Sequence, residues 1–282
     1  MRLAVASDDM LLGMRKRYFT IAGLSLLGLA PATCQNNSVT SEEKSKGWVS
    51  LFDGKSMKHW LDTRRQTPPG DAWTVEDGCL KAQAKPKITE DLFSAALYRD
   101  FELAFEWRIS TGGNSGVKYR IQDHLFVQAP KKGERFESSV ERSYLERVQG
   151  RPEKAQDYVV GFEYQMTDDT KNGDALSNAK HTAGALYDMV APASAASKPV
   201  GEFNLSRILV RGNHVEHWLN GVKVVDSTLD SPDAMAGLQK RWGTMAPHVY
   251  ELMSKQPRKD CPFSLQNHGD EAWFRNIKIR RL

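Results

Sequence analysis

From Phe101 to Ile109 apolar residues take every second place, with Phe101, Leu103, Phe105, Trp107 and Ile109 separated by positions that include Glu102, Glu106 and Arg108. Residues two apart in a strand share a face, so this run predicts a strand with one buried and one wet side. Shorter runs of the same kind cover Trp73 to Val75 with Leu80, Gly116 to Ile121, Val159 to Met166, Arg207 to Val210, His214 to Leu219, Val222 to Val225 and Trp273 to Ile279. Asn220 and Gly221 between two of them predict a two-residue hairpin, because both central positions of a type I′ turn need positive φ. Many short strands with little helical periodicity predict an all-β fold, a two-sheet antiparallel sandwich. Two stretches break the pattern. Residues 130 to 157 are dense in charge and predict a short helix or flap around Ser143 to Val148, and residues 230 to 259 read as a loop with helical turns. Such excursions are either plain surface insertions or the walls of a cleft at one end of the sandwich.

The first residues read differently. Arg15, Lys16 and Arg17 precede an apolar run from Ile21 to Ala30, too short to span a bilayer but suited to a secretory signal, with Ala30 and Ala32 as the small residues of a cleavage site. Residues 1–32 are therefore expected to be a signal peptide, with Met14 as a candidate true start. The expected location is exported, periplasmic or secreted, with no stable membrane span. Lipid anchoring at Cys34 is less favoured, since Thr33 is bulkier and more polar than the residue before a lipidated cysteine normally is. Residues 33–46 are polar and predict a disordered linker. Residues 47–282 are expected to form one domain.

Charge narrows the partners. The chain carries 39 Lys and Arg against 35 Asp and Glu, and without residues 1–32 the balance is 35 against 33. So even a balance predicts neither nucleic acid nor an anionic membrane as partner. Beyond Cys34 only Cys79 and Cys261 remain; they match no zinc spacing, and pairing in an oxidising compartment or two buried thiols are both open.

Candidate chemistry concentrates in three places. Along Val159 to Asp169 alternation puts Glu163 and Gln165 on one face and Phe162, Tyr164 and Met166 on the other, a carboxylate beside an amide that suits a general base with an orienting partner. Asp168, at the strand's end, is a candidate ligand for a divalent metal cation, although its odd spacing from Glu163 argues against a shared ion without a bulge. Gly112 to Gly116 leads into a strand in which Lys118 and Arg120 share a face; Asn114 offers a short hydrogen-bonding side chain, and Arg120 a planar donor fork. A phosphate loop is a poor reading here, and no nucleotide cofactor is expected. Gln266 and His268 share parity just before Gly269, and His268 is a ligand, a proton carrier or a surface residue.

Several segments in order, Leu51 to Ser56, Trp73 to Gly78, Asp100 to Leu103, Gly113 to Gly116, Glu163 to Gln165 with Asp168, Gly184 to Tyr187, Gly201 to Asn204, Leu219 to Gly221, Leu265 to Gly269 and Phe274 to Ile277, resemble the 3-keto-disaccharide hydrolase family. The resemblance spans about residues 47–282. It implies a jelly roll like that of the concanavalin A lectins and glucanases, and a carbohydrate substrate whose glucose C3 hydroxyl has been oxidised by a separate upstream sugar 3-oxidoreductase. It also implies cleavage by C2 proton removal, expulsion of the C1 substituent and hydration. On that reading Glu163 or His268 is the base, Arg120 or a metal near Asp168 and Gln165 steadies the enolate, and Asn114, Tyr187 and Gln266 position hydroxyls. The charged segment from Lys131 to Asp157 is longer than the resemblance leads one to expect and falls on the leaving-group side. Two other classes stay open: a noncatalytic carbohydrate-binding module using Trp60, Trp218 or Trp242 as platforms, and a glucanase with two carboxylates.

Overall fold

The computed structural model describes residues 37–62, 70–87, 89–147, 156–255 and 260–282. The expected signal peptide, the Met14 start and Cys34 lie outside them. Among the described residues thirteen strands follow in order: β1 Val49–Ser50, β2 Trp60–Leu61, β3 Trp73–Glu76, β4 Cys79–Ala82, β5 Leu92–Ser94, β6 Phe101–Ile109, β7 Asn114–Val127, β8 Gln156–Thr167, β9 Asn204–Arg211, β10 His214–Leu219, β11 Val222–Thr228, β12 Ser264–Leu265 and β13 Ala272–Arg281. They pair antiparallel into an eight-stranded sheet, ordered β11-β10-β9-β6-β13-β4-β3 with β1 on β13, and a five-stranded sheet, ordered β2-β5-β12-β7-β8. This is the two-sheet antiparallel sandwich expected from the alternation.

Burial follows parity. Leu103, Phe105 and Trp107 from the first sheet meet Val117, Tyr119, Phe162, Tyr164 and Met166 from the second in one core. Polar groups inside it are paired, as burial requires. The Ser206 hydroxyl bonds Tyr164 Oη at 2.7 Å and accepts from Trp107 Nε1 at 2.8 Å, and His217 joins Tyr119 Oη at 2.9 Å. Burial pulls the His217 pKa down to about 4, so it is a neutral core imidazole. At the expected hairpin Asn220 and Gly221 have φ of 50° and 86°, the positive pair a type I′ turn needs.

Helices lie outside the sandwich: α1 Ser41–Ser45, α2 Phe136–Glu146, α3 Gly173–Ser177, α4 Pro232–Leu238 and α5 Pro247–Lys255, with a π-helical turn at Gln239–Gly243. The helix expected at Ser143 to Val148 begins earlier, at Phe136, and its C-cap Arg147 adopts the left-handed conformation. Among the described residues no helix is long and apolar enough to cross a membrane.

Two expectations are corrected. The segment predicted as a disordered linker is ordered from residue 37: Thr40 and Glu43 close a capping box on α1, Asn37 donates to the Gly78 carbonyl and accepts from Asn276 N–H, and Lys278 pairs with Glu43. Hydrogen bonds and an ion pair to β13 hold it where apolar burial could not. Cys79 is disulfide-bonded, whereas Cys261 keeps a buried thiol that lies 3.9 Å from the Tyr98 carbonyl, so neither a Cys79–Cys261 bridge nor a pair of thiols is formed.

Candidate active site

The outer face of the five-stranded sheet forms the floor of a cavity of about 1160 Å3. Register assembles it. Lys118 on β7 stands opposite Glu163 on β8, Gly116 opposite Gln165, and Ser264 on β12 opposite Lys118 from the other side. Gln266 extends this edge, its N–H donating to the Gly116 carbonyl at 2.8 Å. Side chains of one parity fill the core, so those of the other parity point into the cavity. Asn114, Lys118, Glu163, Gln165, Gln266 and His268 all line it.

Its walls come from the excursions. Phe136 at the start of α2, Lys240 and Arg241 on the π-helical turn, and Asp174, His181, Tyr187 and Asp188 line it above the floor, Arg241 reaching Asp188 and the Tyr187 ring. The insertions expected as either surface ornament or cleft wall are wall. Glu141 of α2 ties them together, its carboxylate bonding His248 Nδ1 at 2.5 Å and the His248 and Val249 N–H groups at the start of α5.

Glu163 is half-buried, and burial raises its pKa above the ordinary carboxylate value although Lys118 and Arg241 pull the other way. A Cβ on Gly116 would collide with its Oε1, so the absence of a side chain there makes room for the carboxylate. Lys118 is 4 % exposed and lies 3.9 Å from Asp91. Burial disfavours its charge, but Asp91 and Glu163 outweigh this and hold it protonated. Asp91 accepts from Ser264 Oγ at 3.0 Å, and burial pushes its carboxyl up to about 6. His268 stays exposed in the cavity mouth; the surrounding protein and Lys118 lower its pKa, leaving it neutral at pH 7.

One wall is a chain of charges. His181 sits with Nε2 2.7 Å from Asp188 and Nδ1 2.8 Å from Asp174, and its ring stacks on Tyr187 at 4.5 Å. Tyr187 Oη donates to Asp174 at 2.8 Å, and Arg241 reaches Asp188 at 3.0 Å and Tyr158 Oη at 3.2 Å. Burial opposes the imidazolium, yet the two carboxylates raise the His181 pKa overall.

Of the residues expected from the sequence, Glu163, His268, Asn114, Gln165, Tyr187 and Gln266 come together here. Arg120 and Asp168 do not, and the expectations built on them are corrected. At Arg120 φ is +50° and the β7–β8 register jumps between Tyr119 and Asp123, a bulge that turns the side chain away to Asp100 at 3.1 Å and the Gly212 carbonyl at 2.6 Å. Asp168 faces a smaller cavity with Trp107 and Asp169, and its oxygens accept from Gly112 N–H, Thr170 N–H and Thr170 Oγ1. A carboxylate committed to three loop donors does not fit the expected metal centre with Gln165. Among the described residues the one group of His, Asp or Glu ligand atoms close enough for an ion is His214, Glu216 and Asp226, on the β10–β11 hairpin, where Lys223 already pairs with both acids. The tryptophans considered as sugar platforms are otherwise engaged: Trp60 and Trp242 are core, and Trp218 lies under Arg207 at 4.1 Å.

Lys118, Arg241, Asp91 and His181 were not among the expected site residues. Lys118 carried a usable signal, its shared parity with Gly116 beside a glycine-rich turn; the other three reach the cavity through tertiary packing.

Residues 47–280 match the 3-keto-alpha-glucoside-1,2-lyase-like domain. A 3-keto-disaccharide hydrolase of Bacteroides thetaiotaomicron is 30% identical over 252 residues, 84% of this chain and 79% of that protein. A crystal structure from Parabacteroides distasonis ATCC 8503, assigned by its description to the glycosyl hydrolases, superposes with a TM-score of 0.63 at 25% identity, covering 87% of this chain and 99% of the other. A second from the same organism gives 0.56 at 23% identity, covering 83% and 99%, and supports the fold alone.

Proposed function

The chain belongs to the 3-keto-alpha-glucoside-1,2-lyase-like domain family and is a carbohydrate-acting enzyme of the glycoside hydrolase type, and from that premise we propose that it cleaves 3-keto-glucosides or 3-keto-disaccharides by elimination and hydration. Glu163 takes the C2 proton, made acidic by the neighbouring C3 ketone. The C2–H electron pair forms the C2=C3 bond while the carbonyl pair moves onto oxygen. When it returns to re-form C3=O, the C2=C3 pair shifts to C1=C2 and the C1–O bond breaks, its electrons leaving with the departing oxygen, which takes the proton from Glu163. Water then adds at C1, with neutral His268 taking its proton, and that proton is returned to C2, restoring the C2–H bond and the neutral imidazole.

The observation that carries this reading is the raised-pKa carboxylate of Glu163, held over Gly116 and standing across the ladder from Lys118. A base of that kind suits C–H abstraction. An ordinary glycosidase places two carboxylates about 5–10 Å apart across the bond, and here the strand neighbour of Glu163 on the same face is the amide of Gln165. Asn114, Gln165, Gln266 and Tyr187 supply polar groups for sugar hydroxyls.

The disulfide at Cys79 supports an exported location, since such bonds persist in oxidising compartments. The substrate's ketone requires a preceding oxidation of the sugar C3 hydroxyl by another enzyme. Incubating the protein with a 3-keto-glucoside and its unoxidised parent tests the reading: release of the leaving group from the keto form alone supports it, and equal or no release from both overturns it.

A further inference from the structure

Lys118 is a buried ammonium whose donors have no ordinary structural use. Its nearest acid, Asp91, is 3.9 Å away, beyond hydrogen-bond reach, and Tyr158 presents its ring face at 5.1 Å. Among the described residues no hydrogen bond engages its N–H groups. Burying a lysine without hydrogen bonds is costly, and this one lies on the cavity floor directly across the ladder from Glu163. Asp91 is fixed from behind by the Ser264 hydroxyl at 3.0 Å, on the strand that pairs with β7 at Lys118.

Resting on the reading above, we propose that Lys118 is a catalytic residue whose ammonium holds the substrate's C3 oxygen as it becomes an enolate, and that Asp91 is the positioning residue that aims it. As Glu163 removes the C2 proton and the electron pair moves toward the C3 oxygen, a Lys118 N–H donates to that oxygen without giving up its proton. The negative charge develops beside a fixed, buried cation on the cavity floor, where such stabilisation is stronger than in open water. Arg120, turned away by the bulge, takes no part. When the enolate collapses and expels the C1 substituent, the ammonium returns to its resting contact with Asp91.

The test follows the enolate directly. Exchange of the C2 proton of a 3-keto-glucoside and of 3-keto-glucose for deuterium is measured by NMR, alongside leaving-group release, for the wild type, Lys118→Met, Asp91→Asn and the double variant. Lys118→Met is expected to slow exchange and release together by about 10²–10³, with KM little changed. Asp91→Asn should slow both less, and adding it to Lys118→Met should cost almost nothing more, because the two act as one unit. The double variant leaves neither buried charge unpaired, so it reports on chemistry even if a single variant folds poorly. Exchange within about 10-fold of wild type in folded Lys118→Met or in the double variant overturns the proposal while leaving the elimination reading intact. A wild type that neither exchanges nor cleaves overturns both.

Discussion

The Glu163 carboxylate lies across the Cα of Gly116, so close that the first carbon of any side chain there would collide with Oε1. The two are diagonal neighbours on adjacent strands, Gly116 pairing with Gln165 and Glu163 with Lys118. The glycine is therefore part of the geometry that positions Glu163, the proposed base. Gly116→Ala should fold, because its φ is not positive, yet lose about 10²-fold or more in kcat as the carboxylate is displaced by an ångström or so. Circular dichroism and turnover on one sample separate the two effects.

Replacing Glu163 by Gln should abolish cleavage while keeping substrate binding, and should stabilise the protein in a pH-dependent way. The folded-state pKa of Glu163 is raised, so the native state binds its proton more tightly than the unfolded chain and loses stability as pH rises between the two values. Gln suffers no such loss. Melting curves should show the variant a few degrees above wild type at pH 7, with the gap closing toward pH 4; a gap that widens on acidification would contradict this.

Activity should fall on the acid side earlier than for an ordinary carboxylate. A base with a raised pKa is protonated at a higher pH, so the acid limb of kcat/KM should lie above the usual glutamate range near 4.3. A limb at or below that value would remove Glu163 from the role of base.

The link between α2 and α5 predicts a different phenotype. Glu141 accepts from backbone N–H groups at the start of α5 as well as from His248, so Glu141→Ala should cost about 1–2 kcal/mol of stability. It touches no substrate group and should raise KM more than it lowers kcat, because it loosens a wall and leaves the floor untouched. Steady-state kinetics with two leaving groups of different size would show the effect growing with size.

Asp168→Ala should behave as a loop mutation. Losing the acceptor for Gly112 N–H, Thr170 N–H and Thr170 Oγ1 should lower stability by about 1–3 kcal/mol. Any response of turnover to a chelator should be the same in the variant as in wild type.

The strands were readable because one face of each is buried, and alternation over Phe101 to Ile109 or Val159 to Met166 leaves few other solutions. The same rule put Glu163 and Gln165 on one face correctly. It failed at Arg120, because a bulge adds residues to one strand without marking the sequence, and parity beyond it no longer holds. Arg241 and His181 were not readable: they belong to wall segments whose place over the floor depends on contacts such as Glu141 with α5, which no local pattern encodes. The order of residues 37–46 was missed because it rests on capping and pairing with β13 rather than on apolar content.

Floor and walls have separate origins in the chain. Glu163 and Lys118 are locked in the ladder of paired strands, while Phe136, Lys240 and Arg241 arrive on excursions outside that ladder. Such a division makes the molecule divisible for an engineer: α2 and the stretch from α4 to α5 could be exchanged as cassettes, changing which leaving groups are admitted, with the reacting end of the sugar meeting an unaltered surface.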